Sequence, residues 1–248
     1  MSGLPHAEIQ SLIDVVRNSS ESSFYKERWG KEKKFERLPA ISRNDFLDTP
    51  LSQRRYKREK ALVKTVRTEG GLFASEWSFA DIANESYGPT GVRPLVYFAD
   101  PDEAIEKAMW CYEREVLPLI GEAIPEVVHS AAGFYRIDSL ITDAISLEKL
   151  LPYLRERPVP LNGISIVGIS FDVDALLRYT PLATNVRLVM GMPETGAFAH
   201  AHLQKDAVFT LLPDCYIQKE DGLLLTKKSL LVTPIIRYAL PPYATYHG

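Results

Sequence analysis

The stretch VMGMPETGAFAHAH, residues 189–202, concentrates residue types that can do chemistry. Glu194 stands between a proline and a threonine, directly after a short apolar run. His200 and His202 follow at alternate positions, a spacing that places both imidazoles on one face of a β-strand. The stretch therefore indicates an active site, a metal site or the remnant of an active site.

Two histidines on one strand face could share a metal ion, but a tight site needs at least a third ligand. Candidates for it are Glu194, Asp206 and Asp214. The simpler interpretation of His200 and His202 is the polar face of a surface strand, so we expect no tightly bound transition metal.

A second candidate is ESYGPTGVRP, residues 85–94, which has features of a phosphate-binding loop. Such loops need glycines that let backbone N–H groups approach an anion, with hydroxyl and cationic side chains nearby. The residues of these types are Ser86, Gly88, Thr90, Gly91 and Arg93. The loop holds no lysine, and Pro89 removes a backbone donor, so an ordinary turn before a strand is the simpler interpretation.

The bulk properties exclude several classes of function. The 248 residues carry a net charge of −3, with 46% hydrophobic and 25% charged residues, so nothing favours binding to nucleic acid or to anionic membranes. Five cationic residues between Arg54 and Lys60 are expected to form a solvated loop before a strand. Cys111 and Cys215 lie in unrelated contexts, and we find no signal peptide and no apolar run long enough to span a bilayer. We therefore expect a cytoplasmic protein without a membrane segment.

Periodicity predicts an α/β fold. Four apolar segments alternate with helical patterns, which is typical of a mainly parallel sheet flanked by helices. These segments are PLVYFAD, DSLITD, GISIVGIS and NVRLVMGM. The helix after the first is expected to carry an apolar stripe from Ile105 to Val116, with Asp100 as its cap, and Ser146 is expected to cap the helix after the second.

The two ends of the chain follow other patterns. Helical spacing over residues 5–17 and a short helix capped by Ser42 characterise the start, and a period of two after residue 196 predicts a β-rich C-terminal part. We expect a single unit with an N-terminal helical and loop region (1–93), an α/β core (94–195) and a β-rich part (196–248).

Five pieces of the chain, in the right order, resemble motifs of the acyl-adenylate-forming (AMP-binding) enzymes, in particular phenylacetate–CoA ligases and coenzyme F390 synthetase-like proteins. The pieces are SSFYKERWG…LPAISRNDFLDTP, SYGPTGVRPLVYF, DSLITDAISLEKLLPYL, ISIVGIS…VRLVMGMPETG and DGLLLTKKSLLVTPIIRYAL. Members of that family join a carboxylate to AMP with ATP and Mg²⁺ and usually pass the acyl group to a thiol. The resemblance implies a shortened N-terminal region of such an enzyme, without the swinging C-terminal domain and its catalytic lysine.

The resemblance also implies roles for individual residues. Glu194 matches the glutamate that helps to hold Mg²⁺, and Glu194 and Arg237 become the candidate catalytic residues. Nucleotide contacts are implied for Gly191, Met192 and Tyr238 and for the phosphate-loop-like residues Ser86, Gly88, Thr90, Gly91 and Arg93.

The chain departs from the family pattern at several of these positions. Met190 replaces the tyrosine beside adenine, Pro193 replaces a threonine whose hydroxyl contacts phosphate, and Val92 stands where lysine is expected. The aspartate that grips the ribose does not follow Arg237 and Tyr238. Each lost contact would cost about 1–4 kcal/mol of transition-state stabilisation.

These departures leave three hypotheses. The first is a truncated relative of the ligases that acts as a binding or partner protein, with a small carboxylate as a conceivable ligand. The second is a reduced carboxylate-activating enzyme that uses ATP and Mg²⁺ and borrows missing groups from a partner protein or an acyl carrier. The third is an unrelated metal-binding hydrolase that uses His200 and His202.

Overall fold

The computed structural model describes residues 6–19, 23–49, 53, 62–69, 72–79, 95–99, 116–119, 126, 129–130, 137–192, 195–228, 234–242 and 244. The chain divides into two compact units, and both contain helices and strands. The expected phosphate-loop-like turn, the helix expected after Asp100, and residues Pro193 and Glu194 lie outside the described residues.

The helices of the first unit form early in the chain. They are α1 (His6–Asn18), α2 (Ser23–Trp29), a 3₁₀ helix (Phe35–Arg37) and α3 (Arg43–Leu47). The predicted first helix is confirmed, and its buried apolar side chains are Ile9, Leu12, Ile13 and Val16. Ser42 caps α3 as expected: its Oγ accepts from the backbone N of Asp45 at 3.2 Å, and the Asp45 carboxylate accepts from the backbone N of Ser42 at 2.7 Å.

Strands of this unit come from both ends of the chain. The sheet order β2–β1–β3 joins β1 (Leu62–Glu69), β2 (Leu72–Phe79) and β3 (Leu95–Ala99), with β3 antiparallel to β1. A second sheet, β10–β11–β12, is antiparallel throughout and joins β10 (Cys215–Glu220), β11 (Gly222–Lys227) and β12 (Tyr238–Ala239). Ile41 also pairs with β12, through backbone bonds to Arg237 and Ala239 of 2.9 and 2.7 Å.

The second unit contains a mixed sheet of six strands in the order β4–β5–β6–β7–β8–β9. The strands are β4 (Val116–Leu119), β5 (Ser139–Asp143), β6 (Leu161–Gly168), β7 (Ala183–Met192), β8 (Gly196–His202) and β9 (Thr210–Leu211). Strands β4 to β7 pair in parallel, and β8 runs antiparallel to β7. Helix α4 (Ala144–Glu156) follows β5, and α5 (Val173–Leu176) with a 3₁₀ helix (Leu177–Leu182) precedes β7.

One face of this sheet forms the core of the second unit. Helix α4 buries four leucines along one side, Leu147, Leu150, Leu151 and Leu154. The buried sheet positions alternate along the strands, as a half-covered sheet requires, and include Ile164, Ile166, Leu188, Met190, Ala199 and Ala201.

Three expectations from the sequence are wrong. The segment PLVYFAD does not join the parallel strands: its residues 95–99 pair antiparallel with β1 in the other sheet. Val116 begins strand β4 and is not the end of a helical stripe, because Val116–Leu119 pairs in parallel with β5. Asp143, and not Ser146, caps α4, since its carboxylate accepts from the backbone N of Ser146 at 2.8 Å.

None of the helices in the described part of the chain is both long enough and apolar enough to cross a membrane.

Candidate functional site

A ligand site is expected at the carboxyl ends of the parallel strands, because ligands of open α/β sheets bind in the crevice beyond them. Strand β5 ends at Asp143, β6 at Gly168 and β7 at Met192. The Asp143 carboxylate accepts from the Ser146 backbone N at 2.8 Å and from its Oγ at 2.7 Å. Asp143 therefore serves to begin helix α4.

Strand β7 reaches this same edge with Gly191 and Met192, and Thr195 leads into β8, which begins at Gly196. Strands β7 and β8 are antiparallel, and their register shifts between Met190 and Gly191. The backbone N of Thr195 donates to the carbonyl of Met192 at 3.1 Å, and Thr195 is fully buried. These contacts position Met192 and Thr195. The two residues between them, Pro193 and Glu194, lie outside the described residues.

Gly191 has a structural reason to be glycine. A Cβ at this position would lie 2.9 Å from the carbonyl oxygen of Gly196 and 3.0 Å from the Cα of Ala197. Both are backbone atoms of the facing strand and cannot rotate away. Close approach of the two strands is therefore sufficient to explain Gly191.

Arg237 and Tyr238 belong to the other unit, on and beside β12. Tyr238 is buried against Phe46, with ring centroids 5.5 Å apart. Ile41 pairs with Tyr238 in a parallel bridge. Tyr238 therefore contributes to the aromatic core of the first unit.

The guanidinium of Arg237 is buried and engaged by strand β10. Nη1 donates to Oε1 of Gln218 at 3.1 Å, Nη2 donates to Oε2 of Glu220 at 2.8 Å, and the cation lies 5.7 Å from the ring centre of Phe35. Its φ of 50° is uncommon for a residue with a Cβ. The Nε of Arg237 finds no hydrogen-bond partner among the described residues. Arg237 thus ties β10 to the last strand, a structural task.

His200 and His202 lie on one face of β8, as the alternation predicts. His200 pairs with Val189 and His202 with Arg187 across the β7–β8 ladder. Within the described ranges, no group of three metal-ligating side chains surrounds them, and the alternative third ligand Glu194 lies outside those ranges.

A polar cluster that the sequence patterns did not reveal surrounds His202. With the Asn185 amide oriented to satisfy both neighbours, its nitrogen donates to Nδ1 of His202 at 3.2 Å. Its oxygen then accepts from Nη2 and Nε of Arg187 at 3.0 and 3.3 Å. The available signal is the alternation Asn185–Arg187 in NVRLVMGM, which marks a polar face opposite the buried Val186 and Leu188.

The structure therefore describes only part of the predicted site. It places Gly191 and Met192 at the end of β7 and Arg237 and Tyr238 in the other unit. Ser86, Gly88, Thr90, Gly91, Arg93 and Glu194 lie outside the described residues.

No known protein-family model matches this chain, and no curated protein matches it.

Proposed function

We propose that this chain is a relative of the phenylacetate–CoA ligase-like acyl-adenylate-forming enzymes that acts in the cytoplasm as a binding or partner protein and does not ligate alone. The observation that supports the proposal is the place of Gly191, Met192, Thr195 and Gly196, the described residues of the GMPETG segment. They end β7 and lead into antiparallel β8 at the carboxyl edge of a run of parallel strands. A ligand site at that edge suits an α/β sheet.

The same proposal interprets the two units. Strands β4 to β8 would correspond to the α/β part of such an enzyme, with its mainly parallel sheet, and β10 to β12 to its β-rich part. The third, fourth and fifth resembling sequence pieces contain β5 with α4, β6 with β7, and β11 with β12, respectively.

The side chains at the positions of the family's catalytic and nucleotide-binding residues favour a binding role over ATP-dependent ligation. Pro193 offers no hydroxyl to a phosphate, and Met190 is buried in the core where the family has a tyrosine beside adenine. The guanidinium of Arg237 already bonds Gln218 and Glu220. A carboxylate at position 194 would repel the phosphates of ATP unless Mg²⁺ bridged them.

Calorimetry with Mg²⁺–ATP and ATP–pyrophosphate exchange test the proposal. The full chain is titrated first, and exchange is then followed with a pool of carboxylic acids, with and without candidate partner or carrier proteins. We expect weak ATP binding or none, and no carboxylate-dependent exchange by the chain alone.

Glu194→Gln is the informative variant, and Asp174→Asn, an exposed carboxylate on α5, is its control. A micromolar dissociation constant that Glu194→Gln abolishes and Asp174→Asn preserves, together with carboxylate-dependent exchange, would show a working enzyme. Exchange that requires an added partner protein would favour the alternative of a reduced acyl-activating enzyme.

A further inference from the structure

The face of the second unit's sheet opposite helix α4 carries a row of polar side chains at one register. Ser165 on β6 pairs with Arg187 on β7, and Arg187 pairs with His202 on β8. Directly paired residues of neighbouring strands lie side by side on one face. Ser165 is half-buried, whereas Arg187 and His202 are exposed. A hydroxyl, a guanidinium and an imidazole thus line up across three adjacent strands.

The charge of Arg187 is not neutralised within the part of the chain that the structure describes. Its bonds go to the neutral Asn185 amide oxygen, and no described carboxylate forms an ion pair with it. Asn185 accepts from the Nε and one Nη, and within the described part of the chain no acceptor is bonded to the other Nη. Because Nδ1 of His202 accepts from Asn185, the neutral ring carries its proton on Nε2, also a donor.

A pair of valines lies beside this polar row. Two residues further toward the carboxyl ends of the parallel strands, Val167 on β6 pairs with Val189 on β7, and both are half-exposed. The same register row continues to Asp143 on β5 and to His200 on β8. Ile141 on β5 pairs with Ser165 and is half-exposed as well. An uncompensated cation beside a strip of aliphatic side chains matches a molecule with one anionic end and one apolar end.

We propose that this sheet face, defined by Ser165, Arg187, His202, Val167 and Val189, binds a monocarboxylate with an aliphatic tail. The carboxylate accepts from the other Nη of Arg187 and from Nε2 of His202, and the tail covers the two valines. A planar carboxylate suits the guanidinium fork, and the two donors fix its orientation. This site is separate from the GMPETG segment and needs neither ATP nor a relationship to the ligases.

Titration of the full chain with octanoate tests the assignment. Octanol, which lacks the anionic end, and inorganic phosphate, which lacks the apolar end, are the control probes. Amide chemical shifts in ¹⁵N-labelled protein report both affinity and place. We expect saturable shifts confined to β6, β7 and β8 for octanoate, and markedly weaker binding of the other two probes.

Arg187→Gln removes the charge, and Arg155→Gln removes an exposed cation from helix α4 as the matched control. We expect Arg187→Gln to weaken octanoate binding about five- to tenfold, as loss of a charged hydrogen bond does at an exposed site, and Arg155→Gln to leave it unchanged. Equal affinity of octanoate and phosphate, equal affinity of octanol, equal loss in both variants, or no saturable binding would each overturn the proposal. Thermal unfolding of each variant checks that it folds.

Discussion

Cys215 shows how burial controls the chemistry of a single side chain. Its Sγ is fully buried at the start of β10 and donates to Oδ1 of Asp214 at 3.3 Å. Burial raises the pKa of the thiol to about 12; the neighbouring Lys227 lowers it less, and Asp214 adds to the increase. We expect Cys215 to stay a protonated, unreactive thiol in the folded protein.

Alkylation and pH-dependent unfolding check this prediction. At pH 8, iodoacetamide should modify Cys215 only after unfolding in urea, as read by mass spectrometry. Because the thiol holds its proton more tightly when folded, its contribution to stability is complete below about pH 9 and declines toward pH 12, by about 1.4 kcal/mol per pH unit. Cys215→Ala should remove this part of the slope above pH 9; identical slopes in both proteins would contradict the assignment.

Gly191 illustrates a second residue-scale constraint, set by backbone atoms. In Gly191→Ala the new Cβ meets the carbonyl of Gly196 at 2.9 Å, so the β7–β8 ladder must shift. We expect a loss of about 1–3 kcal/mol in the free energy of urea unfolding, typical of overpacking. Gly163→Ala is the matched control in the same sheet, because its Cβ meets the Ser139 hydroxyl at 2.9 Å, and a hydroxyl can rotate away. A larger loss in Gly163→Ala than in Gly191→Ala would be inconsistent with this explanation.

At the scale of elements, helix α4 shows that two residues with similar N-cap propensity can have different roles. Asp143 and Ser146 are both good N-cap types, three positions apart, and the sequence pattern favours Ser146. In the structure Asp143 has extended backbone and bonds the N–H of Ser146, whereas Ser146 lies within the first turn. The choice depends on where β5 ends, which is decided by its pairing with β6.

Asp143→Ala should therefore destabilise the protein by about 1–2 kcal/mol, while Asp143→Asn should recover most of that loss because asparagine also caps helices. Urea unfolding followed by far-UV circular dichroism measures both. Asp143→Asn as unstable as Asp143→Ala would show that the carboxylate acts in some other way.

Local patterns predict those elements whose signal lies in their own residues. Helix α1, the capped helix α3 and strands β6, β7 and β8 are confirmed because amphipathic spacing, a capping box and alternation are local properties. The sequence places strand β3 in the wrong sheet, since an apolar pentapeptide does not specify its neighbour. It predicts helix where strand β4 begins, because a short apolar segment fits both periods.

The candidate site also contains some features that the local sequence predicts and others that it does not. The end of β7 could be placed at the sheet edge from the sequence, because parallel strands share one carboxyl edge. The hydrogen bonds of Arg237 with Gln218 and Glu220 could not be predicted from the sequence, because they depend on the register between strands 17 to 19 residues apart. The Asn185–Arg187–His202 cluster likewise exists only through the β7–β8 pairing.

At the scale of the whole molecule, the described residues form two hydrophobic cores. The first gathers aromatic rings around Phe24, Tyr25, Phe46 and Tyr238, with centroid distances of 4.9 to 5.5 Å between neighbouring rings. The second lies between α4 and the sheet, where the buried side chains are mainly aliphatic, and this unit also buries Tyr179 and Phe198. The first core draws on both ends of the chain, whereas the second is built from residues between them.

Hydrogen–deuterium exchange should reveal the two cores as two protected groups. Backbone amides exchange slowest where strands are paired on both sides and their side chains are buried. In the second unit these conditions hold for β6 and β7, which carry the fully buried Ile166 and Leu188; in the first unit they hold for β11, which carries Leu225 between β10 and β12. Peptides from these three strands should therefore retain protons longest in mass spectrometry, and those from edge strands β4 and β9 should exchange sooner. Slower exchange in β4 or β9 than in β6 and β7 would mean that strand order within the sheet does not govern local stability in solution.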